Sequence, residues 1–277
     1  MSKYLSEELI RNIHVYNGKD YSYEITIKEL LSHTSGIADY YDEKSYKDNK
    51  NIFELYLEYP EKSWTEIEKI ERVRNDMKPS FKPGTDASYS DTNFLLLEKI
   101  IETITNKPIN IFYEEYFFHP LGLKSTQVIG YSKPQITQFA VPSDVFYKDI
   151  NITKIRSNKA YSGSLISTAE EMIIFLKALN EGKIISKETL KLMKKWHKLD
   201  QFPIQYGHGM MYFKFPWFIN MKMKIPPLYG HSGSIGSFLY YSEDLNLYIA
   251  GTINQAKSKS KPFSLIQDVI KVIKKWS

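Results

Sequence analysis

Cysteine is absent from all 277 residues, which excludes disulfide staples, thiol catalysis and Cys-ligated metals together. Long apolar runs are absent too. None approaches the roughly 18 residues that a bilayer crossing takes, so no transmembrane segment is expected. Residues 1–20 are polar and lack the apolar region of a secretory signal, which leaves localisation open. There is no P-loop, no His-Glu-x-x-His and no other clustered His and carboxylate spacing, so no metal and no other cofactor is expected. The missing Gly-x-Ser-x-Gly elbow argues against an ordinary α/β-hydrolase. Internal repeats and low-complexity linkers are lacking as well.

What is present builds a core. Hydrophobic residues make up 42% of the chain, enough for one large domain or two lobes. The formal net charge is +5, but Lys and Arg are spread along the chain rather than gathered, so no nucleic-acid partner is expected. Leu96, Leu97, Ile100, Ile101 and Ile104 follow a period of 3.6 and predict a helix over Thr92–Thr105. A second helix is read over Phe112–Phe118. Thr168 and Glu171 form a capping-box signature ahead of Met172, Phe175, Leu176 and Leu179, with Gly182 closing that helix. Lys187–His197 reads as another.

The character then changes. Tyr206–Phe213, Gly236–Tyr241 and Leu247–Ile253 are aromatic and β-branched, as strands are, and Phe263, Ile266, Ile270 and Ile273 mark an amphipathic terminal helix. Helices, then three antiparallel strands, then a helix argue an α+β fold. Residues 1–277 are read as one unit, with 24–198 a mainly helical lobe and 199–277 the strands and terminal helix.

Several phrases occur in a telling order. Ile25–Leu31 runs into His33-Thr34-Ser35-Gly36-Ile37; Phe81-Lys82-Pro83-Gly84 precedes Tyr89-Ser90; then come Pro120-Leu121-Gly122-Leu123, Ser162-Gly163-Ser164, Gly230-His231-Ser232-Gly233 and Thr252-Ile253-Asn254. Together they resemble the penicillin-recognising serine hydrolases: the class C β-lactamase, D,D-peptidase and esterase family. The resemblance implies a β-lactamase/transpeptidase-like fold, a helical lobe beside an antiparallel sheet flanked by helices. It also implies acyl transfer, in which a Ser attacks a carbonyl and the acyl-enzyme is then resolved by water.

By resemblance, Tyr89 is the catalytic tyrosine of a Tyr-x-Asn motif and His231 stands in the third motif, holding the substrate or sharing protons. Ser232, Gly233 and Ser234 line that strand, the Ser234 N–H as an oxyanion-hole donor. Asp91 replaces the family's Asn. An ionised Asp accepts but does not donate, which argues against an amide carbonyl at that point; capping the helix that follows is the plainer role. His33 is read as structural, fixing a turn.

The Ser-x-x-Lys nucleophile motif is the missing piece. Ser258…Lys261 is the one Ser with Lys three residues on, and it sits in a polar loop ahead of Pro262. Met1–Leu5 resembles the phrase that follows the catalytic helix, so the chain is expected to begin after the nucleophile and without the N-terminal strands. Two readings remain: an acyl hydrolase (D,D-carboxypeptidase, β-lactamase or esterase) incomplete as this chain, or a non-catalytic binder of peptidoglycan-like or acyl ligands. Marginal stability, self-association or a missing N-terminal segment is expected. The segment Phe213–Leu228 mixes Phe215, Trp217, Phe218, Met221 and Met223 with Lys and is read as a hairpin over a cleft, with contact to a membrane or partner as the alternative.

Overall fold

Three helices of the N-terminal half open with the same reciprocal cap. At α1 (Ile27–Leu31) the Thr26 N–H donates to Glu29 Oε2 at 2.8 Å, and the Glu29 N–H donates to Thr26 Oγ1 at 3.2 Å. Asn51 with Glu54 and Thr65 with Glu68 repeat this at α2 (Ile52–Glu58) and α3 (Glu66–Asp76). Each box satisfies N–H groups that a helix start leaves without partners. The structure, a computed structural model, describes residues 1–59, 62, 64–128, 146–147, 150–151, 165–199, 203–221, 224–255 and 260–276. They form two compact units, the first built on Met1–Tyr116 and the second on Phe117–Thr126 and Ile166–Ser277.

In the first unit, α4 (Asp91–Thr105) is the central helix. It packs against α1, α3 and α5 (Ile109–Tyr113). Its Leu95 and Leu96 are fully buried among Leu30, Ile52, Tyr56 and Ile70. Side chains of this size stabilise by about 1.5–3 kcal/mol each when removed from water. The helix expected over Thr92–Thr105 is therefore present, one residue longer, and Asn106 ends it with a left-handed φ of +52°. The helix expected over Phe112–Phe118 is not continuous: α5 stops at Tyr113 and a π-helical turn covers Glu114–Phe118.

The second unit is a six-stranded antiparallel meander, where sequence patterning gave three strands. Its order is that of the chain: β1 (His197–Lys198), β2 (Ile204–Tyr206), β3 (Met211–Phe213), β4 (Leu228–Ser232), β5 (Ser237–Ser242) and β6 (Leu247–Thr252). The stretch read as one strand over 206–213 is a hairpin. It turns at Gly207, whose N–H donates to Met210 O at 2.8 Å. The helix α7 (Lys187–Met193) ends short of His197, which instead pairs with Tyr206. Among the described residues, β6 has β5 as its one strand neighbour.

Helices cover both faces of this sheet. On one side Leu176 and Leu179 of α6 (Ala169–Asn180) and Leu190 of α7 pack with Tyr229, Leu239, Tyr241 and Tyr248. On the other, Phe263 of α9 (Lys261–Trp276; α8 is Trp217–Asn220) stacks on Phe213 at 3.9 Å, and Ile266 and Ile270 are fully buried. That apolar packing corrects the division at 198/199: α6 and α7 belong with the sheet, not with the helical lobe. The capping box at α6 is half made. Thr168 accepts the Glu171 N–H, but the Glu171 carboxylate turns to Ser125 N–H at 2.8 Å and Thr126 Oγ1 at 2.5 Å. The α+β arrangement expected from element order is the one found. No helix among the described residues is long and apolar enough to cross a membrane.

Candidate active site

The His33 phrase and the Tyr89 phrase interlock inside the first unit. His33 is fully buried with φ +56°. Its Nδ1 accepts the Ser90 N–H at 3.1 Å and lies 3.2 Å from Asn93 Nδ2. A backbone N–H can only donate, so Nδ1 offers its lone pair there. Ser35 Oγ donates to Asn93 Oδ1 at 2.6 Å, and Ser90 Oγ and Thr92 Oγ1 both donate to Ala38 O, at 3.2 and 2.7 Å. The Tyr89 ring lies 4.2 Å from the His33 ring, centroid to centroid, and is itself half-buried. Gly36 shows why this phrase needs glycine. Its φ is +74°, and a Cβ there would stand 2.2 Å from the Phe81 carbonyl oxygen, which also accepts from His14 Nε2 at 2.9 Å. His33 thus fixes a turn, as read, and holds the backbone beside Tyr89.

Asp91 is the first residue of α4 and is half-buried. The plainer role expected of Asp91, capping this helix, falls to Asp39 instead. Asp39 Oδ1 accepts the N–H groups of Asp91 at 3.1 Å and Tyr41 at 3.0 Å, and Oδ2 accepts that of Asp42 at 3.3 Å. Ser90, at the N-cap position, makes no capping bond. Asp39 is 3% exposed, and burial pushes its carboxyl well above the usual range, with the Asp91 charge adding to the effect. On α3, Lys69 is fully buried with Nζ 5.5 Å from the Tyr40 ring centre. Burial lowers its pKa, while Glu66, Glu98 and Asp91 pull it back up. Asp91 therefore sits between a buried acid and a buried cation.

In the second unit, His231 lies on β4. Its Nδ1 is 2.9 Å from the Ser232 carbonyl, which only accepts, so Nδ1 carries the proton. Nε2 is then the acceptor for the Tyr206 hydroxyl at 3.0 Å. Burial lowers the pKa of this imidazole and favours its neutral form. Ser232 Oγ is 2.7 Å from the Tyr240 hydroxyl, whose own pKa burial raises. Gly233 and Ser234 lie in the exposed β4–β5 turn. The Gly233 N–H donates to Ser237 O at 2.8 Å, and a Cβ on Gly233 would come 2.2 Å from Ser237 Oγ.

The expected site residues thus fall into two groups. Tyr89 and Asp91 are neighbours in the first unit; His231, Ser232, Gly233 and Ser234 are neighbours in the second. Ser162, Gly163 and Ser164 lie outside the described residues, as do Ser258 and Met223. Sequence reasoning missed Asp39, Lys69, Tyr206 and Tyr240. Lys69 left a signal: it occupies the buried side of α3 beside Ile70 and Val73. Among the described residues no group of three or more His, Asp or Glu is placed to hold a metal ion.

Comparison with known proteins gives a consistent result. The family model described as beta-lactamase matches residues 2–270. A protein named putative D-alanyl-D-alanine carboxypeptidase from Escherichia coli O157:H7 is 23% identical over 249 residues, covering 77% of this chain and 53% of that protein. The chain thus spans about half the length of the curated relatives it matches. Among solved structures, a D-stereospecific amidohydrolase from Streptomyces sp. has a TM-score of 0.71 at 26% identity, covering 94% of this chain and 77% of that one. A D-amino acid amidase from Ochrobactrum anthropi SV3 has a TM-score of 0.70 at 23% identity, covering 92% and 74%, and supports the fold.

Proposed function

The chain belongs to the beta-lactamase family, and from that premise we propose that it carries the binding and proton-handling half of an acyl-transfer site for D-amino-acid amides, D-alanyl peptides or related esters. The observation that carries this reading is His231. A neutral, half-buried imidazole on β4, its orientation fixed through both ring nitrogens, suits a residue that positions an acyl substrate at a set place. In the proposed reaction a serine oxygen attacks the acyl carbonyl, and the amine or alcohol leaves with a proton delivered through Tyr89. Water then attacks the acyl-enzyme and releases the acid. The names of similar proteins, a D-alanyl-D-alanine carboxypeptidase and a D-stereospecific amidohydrolase, support the substrate class.

A second reading has its own support. The family nucleophile has the form Ser-x-x-Lys, and Ser258…Lys261 is the one such spacing in these 277 residues. On that ground the polypeptide binds acyl ligands without turning them over. The test uses the 277-residue chain with a fluorescent penicillin and with D-phenylalanine amide. Saturable, reversible binding weakened by His231→Ala, with no covalent adduct by mass spectrometry, is expected. A covalent adduct lost in Ser258→Ala would overturn the non-catalytic reading. No binding of any acyl ligand would overturn the site itself.

A further inference from the structure

Between β3 and β4 the chain presents large apolar side chains to solvent on a segment that is otherwise well packed. Trp217 is 74% exposed, Phe218 59% and Met221 63%. Their neighbours Phe213, Phe215 and Ile225 are each 5% exposed or less. The exposed residues are therefore surplus to the core rather than part of an unmade one. Trp217 and Phe218 lie on α8, and bonds from its last residue, Asn220, tie it to the chain at Lys224 and Ile225. Asn220 Nδ2 donates to Ile225 O at 2.8 Å, the Ile225 N–H returns to Asn220 Oδ1 at 2.6 Å, and the Lys224 N–H donates to Asn220 O at 2.9 Å. Trp217 and Phe218 meet edge to face at 6.1 Å. A groove of about 610 Å³ runs beside them, lined by Pro203, Gln205, Phe215 and Trp217 among others.

Charge decides what such a surface fits. From 201 to 242 the sequence holds no Asp or Glu, while Lys214, Lys222 and Lys224 lie within it. Lys274 Nζ donates to the Lys224 carbonyl at 2.8 Å, which brings the end of α9 to the same face. That end carries Lys271, Lys275 and Trp276, the last 81% exposed; Asp268 is the carboxylate beside it and pairs with Lys271 at 2.9 Å. Large rings with polar edges, long lysines and a shortage of carboxylates are what the boundary between anionic headgroups and acyl chains accepts. A protein partner would need an acidic rim of its own, and nothing apolar in α9 beyond Trp276 is called on.

We propose that Trp217, Phe218 and Met221, ringed by Lys214, Lys224 and the basic end of α9, form a docking surface for an anionic lipid bilayer. The rings enter the headgroup layer and the lysines stay at the phosphate level. The surface is independent of the acyl-transfer reading, since none of these residues belongs to the candidate site.

The experiment is co-sedimentation of the 277-residue chain with vesicles of phosphatidylcholine alone and of phosphatidylcholine with one-third phosphatidylglycerol. Binding to the anionic vesicles is expected, weakened by salt as headgroup charge is screened. The triple variant W217S/F218S/M221S should bind at least about tenfold more weakly. Its far-UV circular dichroism should be unchanged, because all three side chains are exposed. K214Q/K224Q should weaken anionic binding, each lysine near the surface being worth about fivefold. Absence of binding to anionic vesicles, equal binding to both vesicle types, or a triple variant that binds like the parent would overturn the proposal. So would a triple variant that turns a dimer into a monomer in sedimentation velocity without changing vesicle binding; that result would make the surface a contact between copies.

Discussion

Replacing Tyr206 by Phe removes one hydroxyl and leaves the ring in place, which makes it a direct test of how His231 is held. The Tyr206 hydroxyl donates to Nε2 at 3.0 Å, and the Ser232 carbonyl takes the Nδ1 proton at 2.9 Å. With the hydroxyl gone, a half-buried acceptor loses that bond, a loss of about 0.5–1.5 kcal/mol. The assay is chemical denaturation at pH 7.5 of wild type, Tyr206→Phe, His231→Ala and the double variant. The phenylalanine should be costly beside the histidine and nearly neutral in its absence, giving a coupling of about 0.5–1.5 kcal/mol. Nitrogen NMR of the wild type should show Nδ1 protonated and Nε2 bare. Because burial lowers the folded pKa of His231 from its ordinary 6.5, the unfolded chain takes up the proton first. Stability from this group is therefore full above about pH 6.5 and falls as pH drops through the folded value. Zero coupling, or a proton on Nε2, would refute the arrangement.

Three further outcomes follow from the same structure. Asp91→Asn removes the charge that, after burial, most raises the Asp39 pKa. A raised carboxyl loses stability as pH rises above its ordinary 3.8, so the variant should gain about 1 kcal/mol at pH 7 and nothing at pH 3. Lys69 loses a compensating charge, but Asp39 is the group bonded to the Asp91 N–H and dominates; a variant melting below wild type at pH 7 would reverse that judgement. Glu98 is pushed up to about 8, chiefly by burial and then by Glu66, so its contribution is full below about 4.5 and lost as pH climbs through 8. Melting temperatures of Glu98→Gln should stay flatter than wild type between pH 5 and 8.5, and parallel profiles would count against the assignment. The outer edge of β6 should make melting depend on protein concentration, whereas a sharp, reversible, concentration-independent melt of a monomer would exclude self-association.

Much of the fold was legible because its signals are periodic and local. Leu96, Leu97 and Ile100 placed α4 to within a residue, and Ile266 and Ile270 placed α9. The helix-like spacing of Ile52, Leu55 and Tyr56 likewise falls on α2, whereas the capping boxes at Thr26, Asn51 and Thr65 are a local signal that the apolar pattern does not contain. The sheet was harder. β1 and β2 are two and three residues long, too short for alternation to register, and β4 carries Gly230 and His231 in place of β-branched residues. The placing of α6 and α7 with the sheet depended on pairing between Leu176, Leu190 and aromatic residues tens of positions away, which no window of sequence contains.

The candidate site divides along the same line. The candidate residues are legible because the phrases that resemble the family's repeat one residue type at one spacing, as at Tyr89 and His231. The residues that hold them are ordinary in type and distant in sequence: Asp39 acts on Asp91 across 52 positions, and Tyr206 on His231 across 25. This changes how Asp91 should be judged. Taken as a lone letter replacing Asn, it subtracts a donor and adds a charge. In the folded chain that charge meets Asp39 through the helix start and Lys69 from α3, so the exchange belongs to a three-residue electrostatic unit rather than to a single position. Placing Asn at 91 alone leaves the buried Lys69 less compensated, so Asp91→Asn and Lys69→Met should be non-additive in chemical denaturation, the double variant being more stable than the sum of the single changes; additive effects would refute the unit.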